Sequence, residues 1–228
     1  PDMARTDIVL DGLCVRARGA WAPAPTNGVI APGVVTALSG PSGAGKSTIV
    51  ACLLADMTPE AGRVLLRPSS SVSGGSILSD IDPATWRRQI SWVPQSPTLV
   101  PGTILDNMGD LPLDDLNDAA AATGFDDVLA SAPDGWNTVI GSGGIGLSVG
   151  QRQRLALTRA LAAHSQVVIL DEPTAHLDAV SEETVVRAID AMRDAGRTVI
   201  VIAHRAAMME AADAIIDVRS AADEEARA

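Results

Sequence analysis

Gly40-Pro41-Ser42-Gly43-Ala44-Gly45-Lys46-Ser47-Thr48 follows the pattern G-x-x-x-x-G-K-[ST] of a phosphate-binding loop. The run before it, Val34 to Leu38 (VVTAL), is short, apolar and β-branched, and it predicts a buried strand. The run after it, Ser47 to Leu54 (STIVACLL), predicts the first turns of a buried helix. Strand, glycine loop and helix together suit one task. Glycines let the backbone curl until successive N–H groups face a phosphate, and the helix N-terminus adds partial positive charge. Lys46 is then expected to reach the β- and γ-phosphates, with the Ser47 hydroxyl on Mg²⁺.

Composition bounds what surrounds this loop. The 228 residues suit one large domain, and 46% apolar content with a mean hydropathy of +0.20 is ample for a core. With four Trp, one Phe and no Tyr, packing must rely on aliphatic side chains. No apolar run reaches the ~18–20 residues of a membrane span. The opening Pro1-Asp2-Met3-Ala4-Arg5 is not a signal peptide, and a start at Pro1 suggests a piece of a longer chain. A formal charge of −11 argues against a general nucleic-acid binder, so no nucleic-acid partner is expected. Cys14 and Cys52 are too few for a disulfide framework, which fits a reducing compartment, and Cys52 on the apolar helix should be a buried, inert thiol.

Along the chain, Thr6 to Val15 predicts an opening strand or hairpin, and the Ala/Pro/Gly-rich Ala17 to Thr26 a loop. Pro59 to Leu66 predicts a turn and a strand; Ser69 to Ser76 predicts a Ser/Gly-rich loop. Asp82 should cap a short helix that has Pro83 at its first position. Gln89 to Pro94 should be a buried strand delivering Gln95. Residues from Pro97 to about Asn137 turn helix-rich, with Leu113–Thr123 and Phe125–Ala130 as candidates. The alternation then resumes: helix from Val149 to Ala163, strand from Gln166 to Leu170, helix from Ser181 to Ala195, strand from Thr198 to Ala203. This is an α/β pattern with a mainly parallel sheet and helices on both faces. Ligands then sit at the carboxyl ends of the strands, where Gly40, Gln95, Asp171 and His204 all fall.

Val167-Val168-Ile169-Leu170-Asp171-Glu172 places two carboxylates at the end of an apolar strand. Beside a phosphate loop, Asp171 is positioned to hold Mg²⁺ directly or through water. Glu172, one residue on, would face a water in line with the γ-phosphate and act as general base.

Leu147-Ser148-Val149-Gly150-Gln151-Arg152-Gln153-Arg154 resembles the ABC signature, usually LSGGQ followed by a basic helix. In order, the phosphate loop, Gln95, LSVGQ, VVILDE, Ala175-His176-Leu177-Asp178 and His204 resemble that family's Walker A, Q-loop, signature, Walker B, D-loop and switch histidine. The resemblance covers residues 6–218. It implies a single ABC ATPase domain: a P-loop NTPase core at about 6–95 and 160–218, with an N-terminal antiparallel β subdomain. A helical signature subdomain is expected at about 96–159 and a flexible tail at 219–228. It also implies ATP and Mg²⁺, the metal held by Ser47, Gln95 and Asp171, with Glu172, His204 and Gln95 catalytic. Two cassettes would pack head to tail, each ATP lying between residues 40–48 of one and Ser148, Gly150 and Gln151 of the other, with Asp178 contacting the facing site.

Three positions depart from the family pattern. Val149 stands where Gly is usual, and Ser142 where exporters often have Glu. The adenine-stacking Tyr is missing, leaving Trp21 as either its replacement or a surface packing residue. Pro97 to Asn107, with its G-T-I-x-x-N, resembles the exporter segment after the Q-loop. The combination of LSVGQ, DEPTAHLD and GPSGAGKST looks most like the CydD/CydC exporters of cysteine and glutathione, linked to cytochrome bd assembly. That likeness implies a heterodimer at the cytoplasmic face of the membrane, with transmembrane domains fused upstream. The alternatives within the family are a lipid, drug or peptide exporter, a regulatory cassette with weak hydrolysis, or a soluble ABC ATPase. The acidic charge and the exporter-like segment speak against the last.

Overall fold

Thr6–Cys14 forms strand β1, followed by the two-residue strands β2 (Arg16–Ala17) and β3 (Ala20–Trp21), then β4 (Thr26–Ile30) and β5 (Val35–Ser39). The phosphate loop leads from β5 into α1 (Lys46–Leu53), and β6 (Ala61–Pro68), β7 (Ser76–Ile77), α2 (Pro83–Arg87) and β8 (Ile90–Val93) follow. Next come β9 (Gly102–Thr103), α3 (Leu113–Thr123), α4 (Asp126–Ser131), β10 (Val139–Ile140) and the long α5 (Val149–Ala162). The chain continues through β11 (Val167–Asp171), α6 (Ala179–Asp194), β12 (Thr198–Ile202), α7 (Ala206–Glu210), β13 (Ala214–Asp217) and α8 (Ala221–Glu225). This computed structural model describes residues 2–17, 20–71, 73–144, 146–174 and 179–225.

Two sheets organise these elements. The central one runs β13-β5-β12-β11-β8 with every pairing parallel; the other is antiparallel in the order β4-β1-β6-β7. Strand periodicity explains how the central sheet separates two cores. Val167, Ile169, Ile200 and Ile202 face α1 and the antiparallel sheet, packing with Ile8, Ile30, Ile49 and Leu53. Val168, Leu170, Val199 and Val201 face the other way, onto Leu157 of α5, Val185 and Ile189 of α6 and Met208 of α7. A third cluster, with Phe125, Leu116, Ile104 and Leu155, holds the helical region together.

Local chemistry fixes the joints. Asp82 caps α2, its Oδ2 accepting from both the amide and the hydroxyl of Thr85 at 2.8 Å. The same helix buries Trp86 completely and aims its Nε1 at the Leu53 carbonyl, 2.6 Å away at the end of α1.

Several expectations change. The loop expected over 17–26 includes the short β2–β3 pairing, and the stretch leading to the phosphate loop is itself a strand, β4, paired with β1. Strand β8 is at the sheet edge rather than buried, which leaves Trp92 45% exposed. Strand β13, not foreseen, adds itself beside β5. The boundary expected near 160 cuts through α5, which packs Leu155 into the helical cluster and Ala156, Leu157 and Ala160 onto the central sheet. The tail expected to be flexible from 219 is a helix over Ala221–Glu225, where Ser220 Oγ donates to Asp223 Oδ2 at 2.6 Å; residues 226–228 lie outside the described residues. Among the described residues, no helix is long and apolar enough to cross a membrane.

Candidate active site

The phosphate loop needs glycine at two points for steric reasons. Gly45 has φ +102°, and a Cβ there would lie 2.1 Å from the Pro23 nitrogen, because the Ala22–Pro23 segment crosses directly over it. Gly40 has φ +147°, and a Cβ there would lie 2.0 Å from the Val218 carbonyl oxygen. The loop is therefore clamped between a segment before β4 and the end of β13. Helix α1 starts at Lys46 with no acidic residue in its first turn, so its positive end stays uncompensated. Lys46 is 5% exposed, and its Nζ donates to the Gly40 and Pro41 carbonyls at 2.8 Å each. Burial pulls its ammonium below the ordinary lysine range, against the opposing pull of the Glu172, Asp171 and Asp223 carboxylates.

Asp171 ends β11, and Glu172 follows with φ +45°, a left-handed conformation that costs energy for a residue with a side chain. That turn presents the Glu172 carboxylate to two partners. Gln95 Nε2 donates to its Oε2 at 2.8 Å, and His204 Nε2 lies 3.0 Å from its Oε1. Gln95 follows β8 and His204 follows β12, so three strand ends converge on one carboxylate. Asp171 is pushed above the ordinary carboxylate range, first by burial and then by Glu172, with Lys46 acting against both.

A cavity of about 220 Å³ opens here, lined by Ser42, Gly43 and Gly45 to Thr48 of the phosphate loop together with Ala22, Glu172 and His204. A larger one, about 330 Å³, lies near the end of α1 beside Cys52 and Met57, but it gathers no comparable set of ionisable groups. The donor set suits Mg²⁺, which takes few protein ligands and completes its shell with phosphate oxygens and water. A hydroxyl at Ser47, the side-chain amide of Gln95 and a half-buried carboxylate at Asp171 meet that description. No cluster of three His, Cys, Asp or Glu able to hold a metal alone occurs among the described residues.

The profile of the ABC transporter family matches residues 25–175, two thirds of the sequence. The chain belongs to the ABC transporter family. It is 41% identical over 196 residues to the ABC-type transporter atr1 of Mycosarcoma maydis, covering 82% of this chain and 14% of that protein. It is 43% identical over 190 residues to the mitochondrial potassium channel ATP-binding subunit of Rattus norvegicus, covering 81% and 26%. The structure of a bacterial Atm1-family ABC exporter with ATP bound superposes with a TM-score of 0.82 at 29% identity, over 94% of this chain and 37% of that one. The chain thus spans a minor part of the length of each relative. The fold is the α/β phosphate-loop NTPase fold of an ABC cassette. Hydrolysis of ATP with Mg²⁺ is general for this family's ATPase domain, which this cassette represents.

Within the cassette, the signature residues stand apart from the cavity: Ser148, Gly150 and Gln151 are not among its lining. Ser148 and Gln151 instead bond to each other's backbone. Ser148 Oγ accepts from the Gln151 amide at 3.2 Å, and Gln151 Oε1 accepts from the Ser148 amide at 2.8 Å, a capping box at the start of α5. Val149, beside them, is 51% exposed. Asp178, with Ala175, His176 and Leu177, lies outside the described residues. Trp21 is half-buried and carries the Arg16 guanidinium over its ring, 4.8 Å from the centroid. Cys52 is buried as expected, with its thiol pushed up to about 11 by burial. His164, without a predicted role, lies between Arg197 (3.2 Å) and Asp115 (3.3 Å).

Sequence reasoning missed Ala22 and Val218, which shape the loop through backbone contact. A backbone neighbour leaves no side-chain signal, and only the glycines at 40 and 45 hint at it.

Proposed function

We propose that this cassette is the motor of an ABC exporter, closing head to tail with a second cassette around two ATP molecules and reopening after hydrolysis. What carries the reading is the Glu172 carboxylate held by Gln95 and His204 at the mouth of the phosphate-loop cavity. Glu172 would accept the proton of the attacking water. His204 would hold that carboxylate and the γ-phosphate in register, and Lys46 with the α1 N-terminus would bind the phosphate chain. Bound Mg²⁺, held by Ser47, Asp171 and Gln95, would neutralise charge developing on the phosphates. Signature residues that do not line their own cavity suit a shared site: Ser148 and Gly150 would complete the partner's ATP site, with Asp178 touching the same partner. Trp21 would offer one face of its ring to the adenine while Arg16 covers the other.

Export of cysteine or glutathione, with a role in cytochrome bd assembly through a heterodimer, rests on the motif resemblance alone. A relative 39% identical over 195 residues, the ABC multidrug transporter MDR2 of Trichophyton interdigitale, and the Atm1-family structure favour a second reading, the motor of a multidrug- or Atm1-type exporter. In both, the cassette works at the cytoplasmic face beneath transmembrane domains that contact the cargo.

Size-exclusion chromatography of Glu172→Gln with Mg·ATP tests the dimer. The variant should bind ATP, fail to turn it over and elute at twice the monomer mass. A monomer with ATP bound would refute the head-to-tail reading.

A further inference from the structure

Resting on that reading of the site, we infer that Arg205 and Glu182 form a positioning pair that sets the stance of His204. The turn carrying His204 is short. Strand β12 ends at Ile202, α7 begins at Ala206, and His204 and Arg205 span most of the gap. Its backbone is held at both sides, by the Ala203 amide donating to the Leu38 carbonyl at 3.4 Å and by the Arg205 carbonyl accepting from the Met209 amide at 3.2 Å. Neither bond fixes the His204 ring, which is 40% exposed and must keep its Nε2 3.0 Å from Glu172.

Arg205 supplies a third attachment. Its guanidinium NH1 donates to Glu182 Oε2 at 2.8 Å, and the Glu182 side chain is only 15% exposed. A carboxylate so largely removed from water is held tightly by a charged donor, because losing that donor leaves it desolvated and unpaired. Glu182 also sits in the first turn of α6, where the helix dipole favours a negative charge. The pair therefore ties the His204 turn to a sixteen-residue helix packed against the central sheet. A small cavity of about 80 Å³ adjoins the turn, lined by Glu172, Thr174, Ile202, His204 and Arg205. His204 and Arg205 both border that space, so the stance of the ring follows from where Arg205 is fixed. Neither Arg205 nor Glu182 is among the residues lining the phosphate-loop cavity, so they act on turnover through His204 and leave nucleotide binding alone.

Steady-state ATP hydrolysis and calorimetric ATP binding by Arg205→Ala, Glu182→Gln and the charge-exchanged Arg205→Glu/Glu182→Arg double variant test this. A misplacement of about 1 Å in a catalytic group can cost ~100-fold. Each single variant should therefore lose roughly 10- to 100-fold in kcat, with KM and ATP affinity within about twofold, and the exchange should recover most of the loss. Wild-type kcat in folded single variants overturns the inference. So does a loss of ATP affinity in step with kcat, or a folded double variant no more active than the singles. Should Arg205→Ala fail to fold, Arg205→Lys, which keeps the charge but not the fork, replaces it and should lie between wild type and Glu182→Gln. A wild-type dimer that does not hydrolyse ATP at all refutes the functional reading itself, a result distinct from any of these.

Discussion

Glu172 and Gln95 lie 77 positions apart in the chain, and the Gln95 amide donates to Glu172 Oε2 at 2.8 Å. With His204 against the other oxygen, both oxygens of the carboxylate are engaged. Under the proposed mechanism the neighbours that aim Glu172 also meet the substrate, so the aim of the base depends on them.

Gln95→Glu should make that dependence visible. It sets a second carboxylate against Glu172, and two like charges at this distance cannot both ionise easily. The acid limb of the pH–rate profile should move to higher pH by about one unit, since a proton shared by the pair is retained longer. Profiles that superimpose would show that Gln95 and Glu172 do not meet during turnover.

Lys46→Ala should lower ATP affinity at least ~10-fold, as expected from losing a charge-assisted contact to phosphate. Isothermal calorimetry measures it directly. Unchanged affinity would remove residues 40–48 from the nucleotide site.

Asp171 governs a stability effect whose sign can be worked out. Its carboxyl titrates higher in the folded chain than in the unfolded one, because burial and Glu172 disfavour the charge. The folded state therefore keeps the proton to higher pH, and this group favours folding in acid and opposes it as pH rises through its titration. Asp171→Asn should raise the neutral-pH Tm of the nucleotide-free protein by about 2–4 °C, while Mg·ATP affinity falls. A lower Tm would contradict the assigned cause.

Trp86→Ala should cost about 3–5 kcal/mol in urea denaturation, through a large cavity and the stranded Leu53 carbonyl. Trp86→Phe should cost less but leave that carbonyl unpaired. A loss below 1 kcal/mol for the alanine variant would show that the packing around α2 closes without it.

Most of the fold was legible because periodicity and caps agreed. Leu113–Thr123 was read at its observed bounds, and Asp82–Pro83 marked the start of α2 through cap chemistry alone. Strand β13 was not read, because its four residues carry no distinctive alternation and owe their state to β5 alongside. Trp92 was placed in a buried strand, since an apolar run says nothing of whether its strand has a neighbour on both sides. In the site, the geometry brings the expected Lys46, Glu172 and His204 to one cavity, with Gln95 bonded to Glu172. The resemblance implies that Gln151 meets a partner's ATP; within the chain its amide oxygen bonds to its own helix start. Arg205 and Glu182 escaped because two common surface residue types, far apart in sequence, carry no pattern until the chain brings them within 2.8 Å.

The contact between Gly40 and the Val218 carbonyl has a consequence for how the protein comes to exist. The loop at residues 40–48 takes its floor from Val218, just past β13, which makes this pairing highly non-local and correspondingly slow to form. During synthesis, β5 and α1 emerge long before β13, so the nascent domain passes through a period with the loop sequence present and its seat missing. Nucleotide can then stabilise only the finished molecule, and a chain stopped before residue 214 should be unable to draw on ATP to complete its folding.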